Sequence, residues 1–313
     1  MSKTVIIKLG GAAITNKKGS CQLAESSSLE ALMDQIQQAY TMLSASGYQI
    51  ILVHGAGSFG HPQARRYHLK EGWMSSSGLS TPPLTTADEQ TEEEQDWRDQ
   101  KAGFAHTRKC LLELHLALLS RLQRRGLPVL GISPFDHLET DGGDKSPNAV
   151  FEPLAQRAAK FLQLGFIPLL HGDAVFDRSL GCTILSGDIV MHKLAMLLPD
   201  VSRCVFITDV EGIYDADPKL SSPAHKPKLI KHMQSIQSSG VVDVTGGMNG
   251  KVKWARRMVL DALDTLQRKD LEVVICKSGS PEARRVMGLE PVLEDGLPIA
   301  GQMMTVFSIA PST

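Results

Sequence analysis

The chain has 313 residues, a formal net charge of -1, 42% hydrophobic and 21% charged residues. This is ordinary globular composition with no overall electrostatic pull toward nucleic acid or an anionic membrane, and the length is enough for one large α/β core or two lobes on a shared sheet. Five scattered cysteines (Cys21, Cys110, Cys182, Cys204 and Cys276) without CxxC spacing argue against a disulfide framework or zinc site and for reduced thiols.

The opening "MSKTVIIKLGG" lacks the apolar core of a signal peptide, and no apolar run reaches roughly 18 residues. A cytoplasmic protein is expected. "KTVIIKLGG" predicts a short buried strand broken by a glycine pair. Leu32, Met33, Ile36, Ala39 and Leu43 predict a helix over Leu29–Ser44, and "YQIILVHG" a second strand. "PQARRYHL" begins like a helix, with Pro62 in its first turn. Residues 74–98, rich in Ser, Thr, Pro and acid, predict a mobile surface insertion.

A long Leu-rich helix follows in "GFAHTRKCLLELHLALLSRLQRRG", then strands in "LPVLGISP" and "GFIPLLHGDAVFD". "GDIVMHKLAMLLP" reads as a helix, and "RCVFITDVEGIYDADP" as a strand and turn. "GGMNGKVKWARRMVLDALDTLQRKD" reads as a glycine-rich loop and amphipathic helix, and "LEVVICKSG" as a last strand. Strands alternating with helices imply a mostly parallel sheet covered on both faces, with ligands at the strands' carboxyl ends. The glycine loops fall at those ends.

Lys8 lies in the first strand just before Gly10 and Gly11. A buried lysine needs an anionic partner, which a carboxylate or a phosphate would supply. Glycines let backbone N–H groups approach a phosphate closely. The stretch "HGAGSFGH" satisfies G-x-G-x-x-G through Gly55, Gly57 and Gly60. Three features count against a dinucleotide there. The loop follows the second strand instead of the first, no strand ending in an acid comes about 20 residues later, and His61 closes the motif. A histidine at a helix start would hold an anion or simply cap and pack. "GGMNGK" offers glycine N–H groups and Lys251, but Thr245 and Val252 break the Walker A pattern. Asp188 in "SGDIV" and Asp209 in "TDVEGIYDADP" would serve a phosphate site or act as caps. Tyr214 would wall an adenine pocket or pack. No G-x-S-x-G elbow or H-E-x-x-H pattern is present.

The ordered set "KLGG", "HGAGSFG", "GD", "SGD", "TDVEGIYDADP" and "GGMNGK", over about residues 4–280, resembles the amino acid kinase family. The resemblance implies an α/β fold, an open αβα sandwich with a mostly parallel central sheet. Residues 1–200 would form an acceptor-phosphate-binding lobe and 201–313 an ATP-binding lobe on one continuous sheet. Within the family, "HGAGSFGHP" and the eukaryotic-type "KLGGAAIT" are similar to the branch that transfers a phosphoryl group from ATP to isopentenyl monophosphate.

By that resemblance, Lys8 and Lys17 neutralise the transferring group, His61 holds the acceptor phosphate, and Asp188 orients Lys8 or Lys17. Ala56, Gly60 and Gly172 line the acceptor site. Gly10, Gly11, Ala12, Gly57, Gly247 and Lys251 contact ATP phosphates, while Asp209, Gly212 and Tyr214 lie at the nucleotide. Magnesium is expected with ATP, with no protein ligand assigned, and a homodimer is a family expectation. Ala12 stands where many members have Ser, and Ala56 where many have a third Gly. The other readings are a kinase for another small phosphate or phosphonate such as fosfomycin, a non-catalytic ligand sensor of the same fold, and a dinucleotide-dependent oxidoreductase.

Overall fold

The computed structural model describes residues 2–73, 100–215, 228–234, 247–288, 290–294, 297–299 and 301–309. The expected 74–98 insertion, Gly246 and the end of the "DADP" turn lie outside them. The first half runs β1 (Thr4–Leu9), α1 (Gly11–Ile14), α2 (Ser26–Ala45), β2 (Gln49–His54), α3 (His61–Arg66), α4 (Gln100–Gln123), β3 (Val129–Gly131), α5 (Glu152–Gln163) and β4 (Ile167–His171). A hairpin, β5 (Asp173–Asp177) and β6 (Gly181–Leu185), leads to α6 (Gly187–Leu197), β7 (Val201–Thr208), β8 (Ile213–Tyr214), β9 (Leu229–Ile230) and β10 (His232–Gln234). The remainder is α7 (Gly247–Leu266), β11 (Glu272–Lys277), α8 (Pro281–Met287), β12 (Leu293–Glu294), β13 (Leu297–Pro298) and β14 (Thr305–Ser308).

Eight strands form one sheet in the order β10-β14-β11-β7-β1-β2-β4-β3. Neighbours from β11 to β3 pair in parallel, and β14 runs antiparallel to β11. All six residues of β1 are buried, as a strand covered on both faces requires. Successive side chains alternate between two cores. Ile6 joins Ile51 and Leu170 beneath α5, α6 and α7, through Leu154, Leu194 and Val259. Ile7 joins Leu52 and Leu169 beneath α2, α4 and α8, through Ile36, Leu118 and Val286. The result is the three-layer αβα sandwich that the alternation implied. Among the described residues no helix is long and apolar enough to cross a membrane.

The structure differs from the sequence expectation in two places that matter for the site. "GFIPLLHGDAVFD" is not one strand: β4 ends at His171, and β5 leaves the sheet to pair antiparallel with β6. Gly172 permits the turn, since a Cβ there would lie 2.8 Å from the Gly187 nitrogen. Asp173 then fixes the departure by accepting from the Ser133 hydroxyl, the Phe135 N–H and the Ala174 N–H. Secondly, Gly247 is already helical, so Lys251 sits one turn inside α7 and not on a loop before it.

Candidate active site

From β1 the chain moves to β2 and β4 on one side, then returns to β7 on the other. This reversal opens a crevice at the carboxyl ends of the central strands. The loops after β1 and β2 close onto each other there. A Cβ on Gly11 would lie 2.6 Å from the Gly57 Cα and nitrogen, so only glycine allows this approach. Thr15 stitches the same two loops: its hydroxyl donates to the Gly11 carbonyl at 2.8 Å and accepts from the Ser58 N–H at 3.0 Å.

Charged groups and a histidine converge on this crevice from β1, α3, α6, α7 and the segments after α1 and β7. Lys8 is buried in β1, and its Nζ lies 2.7 Å from Asp188 Oδ1. Asp188 occupies the first turn of α6, where Ser186 caps the helix by accepting the Asp188 N–H. Lys17 pairs with Asp209 just after β7, at the surface of the crevice. The Lys17 contact holds the Asp209 carboxyl below its usual range although burial opposes it. Lys251 enters from α7. Burial lowers its pKa first, then repulsion from Lys8 and Lys17, with Asp188 and Asp209 acting in the opposite sense. His61, the first residue of α3, is exposed. Partial withdrawal from water lowers its pKa, and Lys8, Lys251 and Arg65 add to the effect against Asp188. Three lysines thus face two carboxylates and a neutral imidazole, a combination that attracts an anion.

The structure brings together Lys8, Lys17, His61, Asp188, Asp209 and Lys251, beside the glycine loops carrying Gly10, Gly11, Ala12, Ala56, Gly57 and Gly60. Gly172 packs against the start of α6. Asp188 partners Lys8, whereas Lys17 takes Asp209. Gly247 opens α7, the helix that carries Lys251. Gly212 has a packing reason for its identity, since a Cβ would lie 2.5 Å from Thr305 Oγ1. The Tyr214 hydroxyl donates to Glu211 at 2.7 Å, and Glu211 also pairs with Lys277. Burial and this contact push the Tyr214 phenol up to about 12. Sequence reasoning missed Glu211, Thr15 and the buried histidines His54, His115 and His171. Only the repeated His-Gly at 54–55 and 171–172 hinted at the last group.

The model of the amino acid kinase family matches residues 3–277. The chain belongs to the amino acid kinase family. Its members are phosphotransferases that use ATP. An isopentenyl phosphate kinase of Arabidopsis thaliana is 31% identical over 94% of this chain and 92% of its own length. One from Methanothermobacter thermautotrophicus is 29% identical over 80% and 84%. In three dimensions, the chain superposes on X-ray structures of isopentenyl phosphate kinase with a TM-score of 0.66 at 24% identity, covering 92% of this chain and 97% of that one. A Thermoplasma acidophilum isopentenyl phosphate kinase product complex gives 0.65 at 19% identity, covering 97% and 100%. At these identities the structural likeness concerns the fold.

Proposed function

We propose that this chain transfers the γ-phosphoryl group of ATP to isopentenyl monophosphate, giving isopentenyl diphosphate and ADP. The observation that carries the reading is the charge arrangement at the crevice. Lys8 and Lys251 act on His61, Lys17 stands near Lys251, and Asp188 and Asp209 are each tied to a lysine. Neither is placed as a base toward an acceptor. A phosphate monoester needs no base: its second pKa is near 6, so it is already dianionic at neutral pH. The barrier is repulsion between anions and the charge of a loose transition state, which fixed cations and N–H donors lower. The kinases named above as relatives support the choice of acceptor.

In this reading an oxygen of the acceptor phosphate attacks the γ-phosphorus in line as the bond to the β–γ bridging oxygen breaks, and ADP leaves. Lys8, held by Asp188, and Lys17, held by Asp209, flank the transferring group. His61 donates to the acceptor phosphate with the Ala56, Gly60 and Gly172 backbone alongside. Gly10, Gly11, Ala12, Gly57, Gly247 and Lys251 receive the ATP phosphates, with Asp209, Gly212 and Tyr214 toward the nucleoside. Among the described residues no three His, Cys, Asp or Glu side chains are grouped to hold a metal ion. Magnesium would come with the ATP phosphates and neutralise their charge.

Beside α3 lies a small buried apolar core, and the acceptor's apolar tail would follow its rim. Ala64 lies one turn along α3 from His61, on the same face, and joins Leu69, Phe104, Ala174 and Cys182 in a small separate core. Phe104 stacks on Phe176 with centroids 5.4 Å apart. The same α4 face continues to the exposed Leu112 and Leu116, and a homodimer is proposed from the family resemblance alone. A sedimentation mass of one chain would remove that assignment.

A coupled ADP-release assay tests the acceptor. Turnover with isopentenyl phosphate is expected to exceed that with glutamate or fosfomycin by orders of magnitude. Equal turnover with all three overturns the reading. Faster turnover with fosfomycin replaces it with the phosphonate reading.

A further inference from the structure

Behind the crevice lies a cluster that the phosphoryl-transfer reading does not use. His54 ends β2 and His171 ends β4, side by side in register. Both are fully buried, and His115 of α4 joins them. The His54 and His171 rings stack with centroids 5.2 Å apart, and His115 lies 4.7 Å from His171. Gly131, at the end of β3, leaves room for the third ring, since a Cβ there would lie 2.3 Å from His115 Nε2.

The hydrogen bonds follow one rule. His54 Nδ1 lies 3.1 Å from the carbonyl of Gly55, the next residue, and His171 Nδ1 lies 3.0 Å from the carbonyl of Gly172. A carbonyl only accepts, so both Nδ1 atoms carry the proton. His54 Nε2 is then an acceptor, and His115 Nδ1, 3.0 Å away, donates to it. Burial and the neighbouring rings keep His54 neutral, its pKa well below normal, and burial and His171 take His115 down to about 3. The bonds from His115 to His54 and from His54 to Gly55 therefore persist unchanged at working pH.

What these bonds aim is the peptide group, not the imidazole. In a trans peptide the C=O and the following N–H point in opposite directions. Drawing the Gly55 carbonyl back toward His54 turns the Ala56 N–H the other way, into the loop that packs on Gly11. Among the described residues the Ala56 N–H donates to no protein group. At β4 the same geometry orients the Asp173 N–H, while Gly172 itself packs so closely on Gly187, the first residue of the helix that presents Asp188 to Lys8, that a Cβ would lie 2.8 Å from the Gly187 nitrogen. The two His-Gly pairs are also tied together, since the Gly172 N–H donates to the His54 carbonyl at 3.0 Å.

We infer that His54 and His171, with His115 behind His54, are positioning residues that aim the Ala56 N–H and the start of α6 at the acceptor phosphate. This rests on the reading of the crevice as a phosphate-acceptor site. No imidazole of the cluster touches substrate. Each acts through the backbone of the residue that follows it.

The test begins with the unaltered full chain. With [15N]histidine, the Nδ1-protonated tautomer is expected at His54 and His171; an Nε2-protonated ring at His54 overturns the inference. With [15N]alanine, the Ala56 amide resonance should move as inorganic phosphate is added, and an Ala56 signal unmoved at saturating phosphate also overturns it. Variants then separate positioning from packing. His54→Leu should raise KM for isopentenyl phosphate about tenfold or more, the size of one lost N–H bond to a charged group, and leave KM for ATP unchanged. His54→Asn, whose amide N–H replaces the Nδ1 donor, should recover most of the loss. Equal defects in a folded His54→Leu and His54→Asn mean simple packing. If the unaltered chain ignores isopentenyl phosphate while its Ala56 amide still responds to inorganic phosphate, the substrate assignment falls and the positioning role stands.

Discussion

Lys8 and Asp188 concentrate the energetic tension of the site in one pair. Removing two charges from water is costly, and the attraction between them compensates only while both are present. Asp188→Asn would leave a buried ammonium facing an amide, so we expect the folded state to lose about 3 kcal/mol in urea melts. The double variant Lys8→Met/Asp188→Leu removes both charges and should regain most of that stability. Activity should behave differently. Lys8→Met alone should lower kcat about 100-fold or more, as loss of a transition-state charge partner does, and the double variant should be no faster. Recovery of turnover along with stability would show that Lys8 serves the fold and not the reaction. The sequence disclosed this lysine well: a charge inside a strand that otherwise reads TVIIL is conspicuous, and glycines follow at once. It did not disclose which aspartate would answer it, because a contact between β1 and α6 depends on sheet order and not on spacing.

The crevice is a product of element ends. The glycine loops after β1 and β2 meet because neither carries a Cβ at the contact. Gly11→Ala would place a methyl 2.6 Å from the Gly57 backbone, which has no flexible side chain to yield. The loops must part, at a cost of about 1–3 kcal/mol, and KM for both ATP and the acceptor should rise together in steady-state assays. An unchanged pair of constants would mean that the loops do not hold phosphates jointly. Ser186→Ala probes the adjacent helix: losing the cap of α6 should cost about 1 kcal/mol and lower kcat, because Asp188 sits in the uncapped turn. At this scale the sequence was legible where a period or a glycine was decisive. The α2 helix followed from Leu32, Met33, Ile36, Ala39 and Leu43, and the sheet from the strand–helix alternation. The β5–β6 hairpin was not legible. "DAVFD" has the same alternation whether it continues β4 or leaves it, and the choice is made by Gly172 packing on Gly187 and by the bonds that Asp173 collects. The histidine cluster escaped for a similar reason, since its members come from β2, α4 and β4 and meet only once those elements are stacked.

For the molecule as a whole, the buried histidines have a consequence for acid stability. Burial is the leading cause of depression in each: His54 lies well below its usual pKa, His115 near 3, and His192, beneath α7 and bonded to Asp261 at 2.8 Å, near 4. In the unfolded chain all three titrate near 6.5. Above that pH both states are neutral, and these groups leave stability unaffected by pH. Below it the unfolded chain takes up protons that the folded chain refuses, so stability falls by about 1.4 kcal/mol per pH unit for each histidine. The loss continues until the folded value is reached, near pH 4 for His192 and near pH 3 for His115. Together the three predict a fall of about 4 kcal/mol per pH unit on the acid side of 6, a large fraction of the stability of an ordinary domain. Urea melts at pH 7.5 and 5.5 would measure it. His192→Gln keeps an N–H for Asp261 but cannot be protonated, so its stability should decline with about one proton's less slope over the same interval. A wild-type stability that is flat between those pH values would mean that these rings are not buried as neutral groups.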